Sequence, residues 1–302
     1  MAKIFISWIK AARLRTLPLS VSGILVGSFA AYADGLFNMS IFLLSLSTTI
    51  SYQILSNFAN DFGDGIKGAD KNRIGPTRLI QSGQISKTQM ILGIKISVFI
   101  SFILTVILIF TSFKGSLFNI AVFLFLGILA IISAIKYTIG KNAYGYIGLG
   151  DVFVFIFFGL VSVMGSNFLY SSEIKLELIF PSLTLGFLSA AVLNLNNMRD
   201  LRNDKQSKKN TIAVKLGAQN SKIYHYILIV FSIINVLLFY FNTEQNSLFN
   251  IIMVFSVIII LLYHIFQVSI LSREIDFDKL LKPLVLTTFF YSLIISSNYI
   301  LL

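Results

Sequence analysis

Residues 39–67 read MSIFLLSLSTTISYQILSNFANDFGDGIK. Its first part, 39–60, is apolar and free of charge, and a helix needs roughly 20 such residues to cross about 30 Å of hydrocarbon. The run ends in a cluster of oxygen-bearing side chains: Asn57, Asn60, Asp61 and Asp64, followed by Lys67. If the helix continues, Asn57/Asp61 and Asn60/Asp64 stand four residues apart and Asp61/Asp64 three apart. That spacing aims the whole cluster from one helical face. The stretch therefore reads as a membrane helix that delivers carboxylates to one surface of the bilayer.

Eight further stretches are long and apolar enough to span: 16–33, 88–112, 117–136, 148–170, 178–198, 222–242, 247–271 and 281–301. The chain of 302 residues is 56% hydrophobic and 12% charged, whereas a soluble domain is about 45–50% apolar and about 25% charged. So few charges could not cover soluble surfaces. The runs are too long and uniform for barrel strands, which leaves helices. The expected fold is all-α: a polytopic membrane bundle of nine transmembrane helices, with 1–302 as one domain. The chain has no cysteine, which excludes disulfides, thiolate metal sites, iron–sulfur clusters and a Cys nucleophile.

The formal net charge is +11. Of 24 Lys and Arg residues, 21 lie before the first span or in alternate loops, with only Lys114 and Lys175 on the other side. By the positive-inside rule the N-terminus and the basic loops are cytoplasmic and the C-terminus lies outside. This is topology and not a nucleic-acid footprint, which would need its charge on a soluble surface. Lys95 falls within the third span, where it reads as a residue that snorkels or pairs and not as a reactive one. Arg13 and Arg15, the apolar run and Ala31-Tyr32-Ala33 imitate a secretory signal. The run is longer than a usual signal core, so the first span is read as retained.

A second cluster closes the sixth span: Asn194-Leu-Asn-Asn197-Met-Arg199-Asp200-Leu-Arg202-Asn-Asp204-Lys205. Asn197, Asp200 and Asp204 repeat the spacing of the first cluster if the helix continues. Carboxylates packed so closely repel unless a cation lies between them, and oxygen donors without Cys or His favour Mg²⁺. Mg²⁺ takes one or two carboxylates and completes its shell with water and phosphate. Two facing clusters, interspersed with Lys and Arg, would clamp a diphosphate. The 137–150 stretch is rich in Gly and Tyr, and its Lys141 is within reach of a phosphate. Arg15 enters the first span beside Pro18, where a topology anchor and an anion ligand read alike. Asp151, just inside the fifth span, is a functional candidate because buried charge in a membrane is costly. His225 and His264 stand alone on apolar helices and read as structural.

These residues carry a resemblance. Asn57-Phe-Ala-Asn-Asp-Phe-Gly-Asp64 with Gly68-Ala-Asp70, Arg73-Ile-Gly-Pro-Thr-Arg78-Leu-Ile-Gln81-Ser-Gly83, Gly148-Leu-Gly-Asp151 and the second cluster through Lys209-Asn-Thr-Ile-Ala-Val-Lys-Leu-Gly217 resemble the UbiA superfamily of intramembrane aromatic prenyltransferases. Within it they are most similar to the branch that prenylates 1,4-dihydroxy-2-naphthoate in menaquinone biosynthesis. The resemblance runs from about Trp8 to Tyr226; the last two helices match in hydropathy alone. Asp151 stands where that branch commonly has Glu.

The resemblance implies transfer of a polyprenyl group from polyprenyl diphosphate to the naphthoate, with loss of CO₂ and pyrophosphate, in a bacterial-type inner membrane. Together with the chemistry above, it makes Asn60, Asp61, Asp64, Asn197, Asp200 and Asp204 the expected Mg²⁺ ligands. Arg15, Lys67, Arg73, Arg78, Tyr137, Lys141 and Arg199 would spread the diphosphate charge, and Asp151 would orient a ring hydroxyl. Another aromatic acceptor, 4-hydroxybenzoate or homogentisate, is the alternative within the superfamily. A secondary transporter would place its acids near the midplane, whereas here they collect at one face. The Asp-Gly…Ala-Arg…Asp pattern of the CDP-alcohol phosphotransferases is missing.

Overall fold

A computed structural model describes residues 2–68, 78–242 and 248–300. Arg73 and Asp70 lie outside these residues. The helices are α1 (Ala2–Ala12), α2 (Leu17–Ala33), α3 (Met39–Lys67), α4 (Lys87–Ser112), α5 (Leu117–Lys136), α6 (Gly150–Phe155), α7 (Ser166–Ser171), α8 (Ile179–Arg199), α9 (Leu201–Gln206), α10 (Ile212–Asn242), α11 (Leu248–Ile270) and α12 (Asp278–Ile300). Among the described residues nine segments are long and apolar enough to cross a membrane, as the sequence reading expects.

Their ends follow local chemistry. The Asn38 side chain accepts from the Ser40 and Ile41 amides to start α3, satisfying donors that the first helical turn leaves open. Ser86 and Gln89 form a reciprocal capping box at the start of α4. Gly68 ends α3 at φ 75°, its amide bonded to the Asp64 carbonyl, a conformation that only glycine adopts without strain.

Several boundaries differ from the sequence reading. The second span does not stop at residue 60 but continues as helix to Lys67, so the first cluster is carried on regular helical geometry. The seventh starts at Ile212 and bends at Gly217, where φ is 77° and ψ 173°. The first span is preceded by a separate helix, α1, with the chain turning at Arg13 and through a short 3₁₀ segment, Leu14–Thr16. In the fifth span α6 and α7 are joined by π-helical turns over Ile156–Gly165. Such turns are rare and cluster at functional sites.

Without a hydrophobic drive between helices in lipid, small residues and hydrogen bonds set the close contacts. The fifth span approaches α8 so tightly that a Cβ on Gly159 would stand 2.5 Å from the Ser182 carbonyl and 2.7 Å from the Gly186 Cα. It meets α2 through Asn167 Nδ2 donating to the Gly27 carbonyl at 3.2 Å. One large core joins α2, α8, α10, α11 and α12. A separate core unites α1, α3, α4 and α5 at the basic end, and a third lies where α3, α4, α5 and α7 meet at the far end. The cavity lies between these blocks.

Candidate active site

The cavity has a volume of about 1720 Å³ and is walled by α1, α2, α3, α4, α5, the fifth span, α8 and α12. At the basic end its wall carries Asn60, Asp61, Asn197, Asp200 and Asp204 together with Arg15, Arg78 and Tyr137. Toward the far end the wall turns apolar and aromatic, with Phe123, Phe157, Phe158 and Phe168 among its residues. Two clusters 139 positions apart in the chain, counted from Asp61 to Asp200, thus face one space.

The first cluster rides on an unbroken helix. Asp61 is buried at 1% exposure and its Oδ2 accepts the Leu79 amide at 3.1 Å. Asp64, equally buried, does not reach the cavity wall because its oxygens are covered from three sides. The Tyr146 hydroxyl donates to Oδ1 at 2.9 Å, Lys209 Nζ lies 3.2 Å from Oδ2 and Arg78 Nη2 3.5 Å from the same oxygen. Asn57 is spent on structure: its Nδ2 donates to the Ala12 carbonyl at 2.9 Å, tying α1 to α3.

The second cluster is built differently. The helix breaks at Asp200, whose φ of −95° and ψ of 9° make it both the end of α8 and the start of α9. The carboxylate folds back onto its own neighbour: Arg199 Nε and Nη2 donate to the two Asp200 oxygens at 2.9 and 2.7 Å. Arg199 Nη1 donates to Asp278 at the start of α12, at 2.6 Å. Arg199 is 1% exposed and does not line the cavity, so it ties helices and shapes Asp200. Asp204 follows one turn on, buried, with Lys209 Nζ 3.9 Å away.

Other candidates are sorted by the tertiary structure. Lys67 stacks over the Tyr146 ring at 3.8 Å outside the cavity wall, and Lys141 is exposed away from it. Asp151 is buried but turns from the cavity toward α10, where the Tyr224 hydroxyl donates to it at 3.5 Å. His225 and His264 are not solitary: their Nε2 atoms meet at 3.0 Å between α10 and α11. Burial pushes the Tyr137 hydroxyl up to about 12, against the lowering pull of Lys209, so it remains a hydrogen-bond donor at neutral pH.

The sequence reading gives no site role to Lys209, Lys279, Lys282 and Asp278, all of which line the cavity, or to Tyr146. Lys279 and Lys282 read only as topology, and nothing in their spacing marks them otherwise. Tyr146 belongs to the Gly- and Tyr-rich stretch, whose docking is the missing signal. Thr138 Oγ1 donates to the Ala59 carbonyl at 2.9 Å, and the Asn210 amide to the Tyr146 carbonyl at 3.0 Å.

The donor set is all oxygen. Among the described residues no three Asp, Glu or His side chains gather tightly enough to hold an ion by themselves. The Asn60 Oδ1, on the cavity wall, is buried without a hydrogen-bond partner. A buried acceptor left so costs about 1–3 kcal/mol unless a ligand satisfies it, so the residues present fit a hard divalent cation.

The fold has counterparts among solved structures. A UbiA homologue from Archaeoglobus fulgidus bound to DMAPP and Mg²⁺ superposes with a TM-score of 0.62 at 13% identity, over 94% of this chain and 98% of that one. A digeranylgeranylglyceryl phosphate synthase structure does so with 0.64 at 16% identity over the whole of both chains. In sequence the chain is 45% identical over 226 residues to the 1,4-dihydroxy-2-naphthoate octaprenyltransferase of Haemophilus influenzae, covering 74% of this chain and 73% of that one. It is 43% identical over 234 residues to the enzyme of the same name from Escherichia coli, covering 77% and 76%. The sequence profile of the UbiA prenyltransferase family matches residues 20–294, and the chain belongs to that family.

Proposed function

We propose that this integral membrane protein transfers a polyprenyl group from polyprenyl diphosphate to 1,4-dihydroxy-2-naphthoate, releasing CO₂ and pyrophosphate and giving demethylmenaquinone. The observation that carries this reading is the cavity itself, which joins two oxygen-rich clusters flanked by cations to a long apolar, aromatic interior. That division suits a ligand with a charged head and an isoprenoid tail. The acceptor is inferred from the naphthoate prenyltransferases at 43–45% identity.

Asn60, Asp61, Asn197, Asp200 and Asp204, which line the cavity, would hold Mg²⁺ with the diphosphate, and Asp64 behind them would hold Lys209 and Arg78 in place. When bound, Mg²⁺ supplies Lewis-acid stabilisation of the charge that develops on the departing pyrophosphate. Arg15 and Arg78 on the cavity wall add charge-assisted hydrogen bonds to phosphate oxygens, and Tyr137 donates one from its retained proton. Preorganised donors of this kind lower the barrier to breaking the allylic C–O bond. The electron-rich ring carbon then forms the new C–C bond, and its carboxylate leaves as CO₂, its bonding pair returning to the ring. No strong base is required at that carbon. Phe153 stacked on Tyr144 at 4.0 Å, with Phe157 beside it, walls the reacting cation from water. Asp151 acts on the acceptor only through Tyr224 or a movement of its own helix.

The orientation that goes with this reading puts the N-terminus and the basic loops in the cytoplasm and the C-terminus outside, in a bacterial inner membrane. Because the chain has no cysteine, single Cys substitutions at Ser207 and at the exposed Lys114 report it directly. An impermeant maleimide should label only the Lys114 site in intact cells.

The activity test uses membranes with labelled polyprenyl diphosphate and the naphthoate, with and without Mg²⁺. Demethylmenaquinone is expected only with Mg²⁺. No product, or full activity in an Asp64→Ala/Asp200→Ala double variant, overturns the proposal, and turnover of 4-hydroxybenzoate in place of the naphthoate overturns the acceptor alone.

A further inference from the structure

Lys209 occupies a singular position. It lies in the loop after α9, yet its side chain is only 7% exposed and its ammonium lies between the two acidic clusters. Nζ stands 3.4 and 3.2 Å from the Asp64 oxygens on α3 and 3.9 Å from Asp204 Oδ1 on α9. The Tyr146 ring lies beneath it at 5.4 Å, and the Tyr146 hydroxyl holds the far oxygen of the same Asp64. The Lys209 amide is bonded to the Asp204 carbonyl at 2.8 Å, so the residue is tied to the second cluster by its backbone and to the first by its side chain. It also lines the cavity.

We propose that Lys209 is the residue that couples the two clusters, fixing Asp64 against Asp204 and presenting its charge to the diphosphate that binds between them. The physical case rests on two features. Like-charged carboxylates brought to one space repel, and the Lys209 ammonium contacts a member of each cluster. Its main chain is anchored at Asn210 to the Tyr146 carbonyl, so the ammonium sits in a preorganised frame and not at the end of a loose surface side chain. A purely structural bridge would be buried from the cavity, and this one is not.

The proposal rests on reading the cavity as a diphosphate site but not on the identity of the acceptor. The test is calorimetric titration of the purified full-length protein in nanodiscs with inorganic pyrophosphate, with and without Mg²⁺. Lys209→Met is expected to weaken pyrophosphate binding about tenfold or more, the scale of one charge-assisted hydrogen bond, while Lys209→Arg stays within about threefold because the charge is kept. In an Asp64→Asn background the Lys209→Met loss should shrink, as it must if the two groups act as one unit. Should Lys209→Met not fold, Lys209→Gln replaces it under the same criteria. Wild-type affinity in the uncharged variant, or strict additivity with Asp64→Asn, overturns the coupling role. Wild-type protein that binds no pyrophosphate overturns this inference and the diphosphate reading together. Pyrophosphate binding without naphthoate turnover removes the proposed acceptor and leaves this inference standing.

Discussion

The two acidic clusters carry the same residue types at three- and four-residue spacings, and the chain holds them in opposite ways. On α3 the helix is unbroken, so Asp61 and Asp64 are displayed by backbone geometry; Asp64 is compensated from outside by Lys209 and Arg78 and accepts the Tyr146 hydroxyl, and Asp61 accepts the Leu79 amide. At the end of α8 the helix breaks on Asp200 itself, and the compensating charge comes from the adjacent residue, Arg199, which also reaches Asp278 on α12. The first cluster depends on long-range contacts to set its charge balance, whereas the second brings its own cation. Similar spacing in sequence therefore does not mean equal electrostatics.

The largest effect that would break this comparison is on turnover. Asp61→Ala and Asp204→Ala each remove a cavity-lining carboxylate and should lower kcat by about 10²–10³, the scale for losing one element of preorganised electrostatic stabilisation. A loss confined to one cluster would show that the two are not partners in one site. Next is stability. Arg199→Met removes the cation of a buried pair, for which about 3–5 kcal/mol is typical. The cost should fall at the low end, because Asp278 is 34% exposed and can be rehydrated. Thermal unfolding in detergent measures it, and Lys209→Met should cost less, since its role is electrostatic coupling across the cavity.

A smaller change tests the seam that fixes α8, and with it the second cluster, against the rest. Gly159→Ala places a methyl against the Ser182 carbonyl and Gly186 Cα, backbone atoms that cannot rotate aside. It should cost about 1–3 kcal/mol, read by thermal unfolding in detergent, with activity falling alongside. The smallest effect is at Tyr137. Tyr137→Phe removes one neutral donor, about 1 kcal/mol, so activity should drop several-fold with the shape of its pH profile between 6 and 9 unchanged. With the folded value near 12 and the unfolded value at 10.0, the unfolded chain releases this proton first. The phenol's contribution to stability is thus intact below pH 10 and lost as pH rises toward 12, a loss that Tyr137→Phe should remove.

Much of this architecture is legible without coordinates because its causes are local. Each span announces itself by length and hydropathy, since lipid permits only helices that satisfy their own backbone, and the Asp-rich clusters follow directly upon apolar runs. What escaped is what depends on side chains meeting across the bundle. Asp151 is a buried acid at an expected depth, but that it meets Tyr224 on α10 and not the cavity is set by how the spans pack. His225 and His264 are 39 residues apart and meet because α10 and α11 pack in one register.

The sequence by itself determined that nine apolar stretches cross a bilayer, which loops carry the basic charge, and that two oxygen-rich clusters end two of the helices. Only the tertiary structure decided which of those charges face each other. It withdrew Lys141 and Arg199 from the cavity wall, covered Asp64, and brought Lys209, a motif residue to which the sequence assigns no role, between the two clusters. The reason is physical: hydrophobic length is a property of a segment, but electrostatic pairing falls off over a few ångströms and exists only once the helices have packed.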